Sequence, residues 1–75
     1  EELSKEDILN CLEELPDILR VIFNMYEIEG YKHAEISEKL GIPSSTCRTY
    51  LARAKERLRE KIIALNQIKN EGAVR

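Results

Sequence analysis

Apolar positions return every three or four residues along most of this chain, the period of helices that bury one face. Ile8, Leu12 and Leu15 form the first stripe, with Ser4 ahead of it as a cap and Asp7 placed as a capping-box acid. Glu6 and Asp7 also suit the positive end of the helix dipole. The pattern predicts a helix over about 5–14. Pro16 then breaks the chain and is expected as the first residue of a second helix, over 16–27. Ile18, Leu19, Ile22, Phe23 and Tyr26 give that helix its buried stripe, and Gly30 ends the segment.

A short third helix is predicted over 33–40, with Ile36 and Leu40 facing inward and Gly41 stopping it. Ile42 is the apolar residue of the turn, and Pro43 forbids continuation of the helix before it. Ser44 or Ser45 is expected to cap a fourth helix over 44–65, with Cys47, Leu51, Ala54, Leu58, Ile62 and Leu65 in one stripe. At about 1.5 Å per residue this helix spans roughly 30 Å. The polar tail 66–75, which holds Gly72, is expected to fray. No run alternates in the manner of a strand, and no internal repeat or low-complexity segment is visible. The expected architecture is all-α: one four-helix domain over 1–75 with a C-terminal helix-turn-helix and no wing.

With 75 residues, a single domain that buries roughly 60% of its unfolded surface needs a simple core, and helix-on-helix packing supplies one. The abundance of Leu, Ile, Glu, Lys and Arg agrees. No apolar run approaches the length of a membrane span, and no secretory leader is expected. The chain begins at Glu1 without Met and is expected to be part of a longer protein. Cys11 and Cys47 stand far apart, and with His33 they share no metal-site spacing. Both thiols are expected to be buried bystanders, as suits a reducing compartment, although spacing leaves a single long-range disulfide open. Neither a metal nor a cofactor is expected. Ser44 and Ser45 lie far from His33, with no oxyanion-hole motif, so no catalytic residue and no small-molecule substrate are expected either.

Charge changes the picture more than composition does. The formal net charge of −2 argues against a nucleic-acid binder. The distribution argues for one: residues 1–47 carry four Lys/Arg against eleven Asp/Glu, and residues 48–75 carry eight against three. Local potential governs contact with a polyanion more than the total does.

The two helices at 33–40 and 44–65, joined by Gly41-Ile42-Pro43-Ser44, have the form of a helix-turn-helix. In that motif the start of the second helix meets base edges in the major groove. On a helical wheel, Arg48, Lys55 and Arg59 line one edge of the apolar stripe, and Tyr50, Arg53, Arg57 and Lys61 line the other. Ser45, Thr46, Arg48, Thr49, Ala52 and Arg53 occupy the first two outward turns. Small residues allow close approach, Arg can grip guanine with two bonds, and Thr or Ala can meet a thymine methyl. The basic residues farther along suit phosphates. A solvated basic face of good helix formers is the plainer account of the same residues.

The same stretches resemble a known family. Leu15-Pro16-Asp17-Ile18-Leu19-Arg20-Val21-Ile22-Phe23 looks like the opening of region 4 of bacterial sigma factors. Tyr26-Glu27-Ile28-Glu29-Gly30-Tyr31 resembles its aromatic–acid–Gly-Tyr turn, and Ala34 to Ile42 is similar to its "aEIAexLGi" helix. Pro43 to Leu58 follows its "pxGTvrSrlxRArkxL" recognition helix. The four pieces stand in order over about residues 12–62, and the extracytoplasmic-function (ECF) group is the nearest in pattern. The resemblance implies a cytoplasmic bacterial protein that reads the −35 element of double-stranded promoter DNA and grips the β flap of RNA polymerase core. An anti-sigma factor is a further expected partner. Carried over by position, the DNA-facing set is Ser45, Thr46, Arg48, Thr49, Ala52, Arg53 and Lys55, to which Tyr50, Arg57 and Lys32 are added as phosphate or flanking contacts. Ser45 stands where the family usually has Gly, Cys47 where it has Val or Ser, Tyr50 where it has Arg or Gln, and Lys32 where it has a capping Ser or Thr.

Several residues carry two readings. Glu35 is either a partner for Arg53 or a first-turn acid at the helix dipole. Arg20 is expected in a structural ion pair, His33 as an exposed helix-start residue, and Tyr31 packed over the turn. Two other functions fit the same fold: a dimeric helix-turn-helix repressor or response-regulator output domain reading a palindrome, and a protein-only docking module using the acidic, apolar surface of helices one and two.

Overall fold

The computed structural model describes residues 3–74, with side chains described through Ile68. Among the described residues there are four α-helices and no strand: α1 (Lys5–Glu13), α2 (Asp17–Phe23), α3 (His33–Leu40) and α4 (Ser44–Val74). A π-helical turn, Asn24–Ile28, follows α2 directly.

Ser4 caps α1 as the sequence predicts. Its hydroxyl accepts the Asp7 N–H at 3.1 Å, and the Asp7 carboxylate accepts the Ser4 N–H at 3.0 Å, so two orphan donors are satisfied reciprocally. The buried face of α1 is rotated from the expected one. Cys11 and Leu12 are buried and Leu15 follows in the turn, while Ile8 is 39% exposed. Arg20 ties this corner. Its guanidinium pairs with Asp17 at 2.9 Å and donates to the carbonyls of Glu13 and Leu15, capping the free end of α1.

The second helix differs from expectation at both ends. Pro16 is its N-cap rather than its first residue: ψ is 148°, and its carbonyl accepts from Arg20 N–H. At the other end the Glu29 N–H reaches back five residues to the Asn24 carbonyl, which widens the last turn and carries the helix to Ile28. The Tyr31 N–H bonds the Met25 carbonyl around Gly30, whose φ of +81° is a left-handed conformation natural to glycine.

α4 is the spine on which the other three helices pack. Leu12, Leu15, Leu19 and Ala54 form one core cluster, and Ile22, Ile36, Cys47 and Leu51 form the other. Phe23 and Tyr50 touch both clusters and join them into one core. Both cysteines are buried and unpaired, which closes the disulfide alternative. The expected frayed tail takes another form: α4 continues past 65 to Val74. No proline interrupts this stretch, and the one glycine, Gly72, costs only about 1 kcal/mol in a helix interior. The molecule therefore measures 50 × 18 × 16 Å, the long dimension being close to that of α4 itself.

Candidate nucleic-acid interface

The face that α4 presents is fixed by what precedes it. Gly41 ends α3 with φ +70°, and the N–H groups of Gly41 and Ile42 both bond the Ser37 carbonyl, at 2.9 and 3.2 Å. The Ser37 hydroxyl donates to the Ile42 carbonyl, and the Ile42 side chain packs into the second core cluster. The turn is thus held from both sides. Pro43 takes the cap position of α4, its carbonyl accepting the Cys47 N–H at 3.0 Å. Ser44 and Ser45, expected as caps, are instead the first two helical residues.

Cys47 has no exposed surface, and Leu51 and Ala54 continue its buried line. With that stripe fixed inward, helical geometry turns the opposite face outward. Ser45, Arg48, Thr49, Ala52 and Arg53 are all exposed there, and Thr46 is half-buried at the edge. The Thr49 hydroxyl donates to the Ser45 carbonyl at 3.1 Å. That bond uses its one donor within the helix and leaves its lone pairs and methyl group for any ligand.

Lys32 and Arg48 come from the starts of α3 and α4 and line the same cleft, together with Tyr26, Gly30, Tyr31 and His33. Lys32 occupies the N-cap of α3, and its side chain has no acceptor with which to cap. Glu35 compensates from within, its carboxylate accepting the Lys32 N–H at 2.8 Å. This decides between the two readings of Glu35: it serves the start of its own helix. Arg57 is exposed farther along α4.

Three expectations drawn from the sequence change here. Lys55 is exposed as expected, but its ammonium already has partners: the Glu27 carboxylate at 2.8 Å and the Tyr26 ring, with 5.8 Å to the centroid. Tyr50, expected at the edge of the stripe as a phosphate or flanking contact, stands at that edge but is half-buried against both core clusters, because the α1–α2 corner closes over it. His33 is half-buried too. Its ring stacks on Tyr26 at 4.6 Å, and its Nδ1 is buried without a hydrogen-bond partner. Glu27 and Tyr26 are neighbours of the basic face that sequence reasoning missed. Nothing local to residues 26–27 signals that the π-helical turn ends beside Lys55.

The other edge residue, Lys61, pairs with Glu14 at 3.2 Å and joins α1 to α4. Among the described residues no cluster of His, Cys, Asp or Glu could hold a metal ion. None of their helices is long and apolar enough to cross a membrane.

Residues 5–58 match the family model described as Sigma-70, region 4. The chain belongs to that family. The match covers α1 to α3 and the first half of α4, so α3, the turn and the exposed start of α4 lie inside it. Comparison with curated proteins and with solved structures gives no match. Membership makes this a promoter-DNA-binding domain of the sigma-70 type, a class that works with RNA polymerase and is not catalytic. In this region 4 the outward start of α4 holds the small, hydroxylated and basic residues that the major groove can accept.

Proposed function

We propose that the chain reads the −35 element of a promoter as part of a bacterial, cytoplasmic ECF-group sigma factor. The observation that carries this reading is the exposed start of α4. Ser45, Arg48, Thr49, Ala52 and Arg53 face solvent together on a helix whose opposite side is pinned by Cys47, Leu51 and Ala54. Arg48 and Arg53 supply direct contacts to base edges, and Thr46, Thr49 and Ala52 supply close apolar or hydroxyl contacts. Lys32, Lys55 and Arg57 meet flanking phosphates and set register. Tyr50 is withdrawn from direct contact. The acidic and apolar surface of α1 and α2 faces protein: the β flap of polymerase core, or an anti-sigma factor that masks the domain.

A selection of random DNA by polymerase core carrying the full-length protein tests this. Enrichment of a short upstream motif is expected, and Arg48→Ala with Arg53→Ala should abolish it. A palindromic motif bound without core would instead indicate a dimeric repressor or response-regulator output domain. An unchanged motif in the double variant, or no motif at all, would turn the reading toward a domain that docks on protein alone.

A further inference from the structure

Tyr50 stands at the edge of the face that α4 turns outward, and the core holds it there. Its ring is half-buried, wedged where both core clusters meet, against α1–α2 residues on one side and Leu51 and Ala54 of its own helix on the other. One helical turn on, the exposed Arg53 lays its guanidinium over that ring, 5.9 Å from the centroid.

We infer that Tyr50 is a positioning residue for Arg53, a fixed aromatic shelf that aims the guanidinium before DNA arrives. The inference rests on the reading of Arg53 as a base-contacting residue. A free arginine side chain surrenders considerable rotamer freedom when it is held against a base. A ring already immobilised by the core takes part of that ordering into the unbound protein. Planarity matters, because a guanidinium stacks on a ring face and an ammonium does so less well. The tyrosine at residue 50 thus serves the next arginine along α4. Preorganisation of this kind narrows the geometry in which Arg53 meets a base, so it acts on sequence preference as well as affinity.

The test is a double-mutant cycle on holoenzyme assembled from polymerase core and the full-length protein, with binding measured on the selected motif and on variants of each base. Tyr50→Leu should weaken binding to the motif about two- to five-fold, the size of an exposed cation–aromatic contact. It should also broaden preference at the base that Arg53→Ala releases. In the Arg53→Ala background Tyr50→Leu should change nothing further, and Tyr50→Phe, which keeps the ring face, should restore both affinity and preference. Should Tyr50→Leu fail to fold, Tyr50→Gln, which also removes the ring, is read by the same criteria. Equal losses with and without Arg53, or a Tyr50→Phe protein as impaired as Tyr50→Leu, would overturn the inference while leaving the promoter reading intact. An Arg53→Ala protein that keeps the full motif would overturn the inference together with the base-contacting role of Arg53, and the promoter reading is then decided by the Arg48→Ala, Arg53→Ala double variant.

Discussion

Lys55 cannot serve Glu27 and a phosphate equally, and the conflict has a measurable size. Its ammonium lies 2.8 Å from the Glu27 carboxylate, with roughly half of the lysine side chain and a third of the glutamate still exposed. Exposed pairs of this kind contribute about 0.2–1 kcal/mol, so Glu27→Gln should lower stability only slightly. For a domain of this size that is a fall in Tm of at most about 4–8 °C. DNA binding should move the other way. A phosphate oxygen in contact with Lys55 would sit about 5–6 Å from the Glu27 carboxylate, where like charges repel by about 0.7 kcal/mol in bulk water and more near a protein surface. Salt at physiological strength screens part of this, because the Debye length is about 8 Å. The expected net effect of Glu27→Gln is promoter binding tighter by about three- to ten-fold, at about 1.4 kcal/mol per decade.

Salt dependence separates this account from a general loss of negative charge. A lysine already paired with a carboxylate releases little on meeting DNA, whereas a freed lysine that neutralises one phosphate steepens the slope of log K against log salt by about 0.9. The assay is fluorescence anisotropy of a labelled promoter fragment with holoenzyme, titrated between low and physiological salt, for Glu27→Gln and for Glu27→Gln with Lys55→Ala. The gain in affinity and the steeper slope should both vanish in the double variant. Tighter binding that survives the loss of Lys55, or an unchanged slope with unchanged affinity, would refute the reasoning and leave Lys55 a strut between α4 and the π-helical turn.

Other consequences follow from the packing and the turns. Gly41→Ala should cost about 1–2 kcal/mol, because φ is +70° while an added Cβ would meet nothing within 4 Å, so the whole cost is conformational and readable by urea denaturation. Ile36→Ala, at a position with no exposed surface, should cost about 2–5 kcal/mol and Ile36→Val about 0.5–1.5, a gradation that thermal unfolding would resolve. Ser4→Ala should cost about 1 kcal/mol and speed amide exchange within α1, while leaving exchange in α3 and α4 unchanged.

Period and punctuation made most of this fold legible. The stripe from Cys47 to Leu65, the stop at Gly41 and the cap at Ser4 all act locally, so a sequence carries them in full. The errors lie where a distant neighbour decides. Ile18 shares a stripe with Leu19 and Ile22, yet it is 40% exposed because α4 lies on the Leu19–Ile22 side. The π-helical turn depends on a bond from Glu29 back to Asn24 and on Met25 and Tyr26 packing into the core, which no three- or four-residue count could reveal. The outer face of α4 was legible for the same reason its stripe was, since a helix with one side fixed has only one side left to show. Tyr50 and Lys55 sit at the margins of that stripe, and there the wheel gives a direction but no company. The α1–α2 corner claims the first and Glu27 the second.

The negative total charge resolves in the same geometry. A domain of net charge −2 is a poor polyanion ligand if its charges mix. Here several acids are committed to partners within the chain. Asp7 and Glu35 serve helix starts, Asp17 holds Arg20, and Glu14 holds Lys61. Arg48 and Arg53 stay exposed at the leading end of α4. Among the ion pairs of the described residues, that of Glu27 holds a member of the proposed DNA-facing set, Lys55, so one side chain on the π-helical turn sets how far the acidic half of the molecule intrudes on the basic one. That is why neutralising residue 27, rather than removing any acid on α1, should change the salt slope of DNA binding.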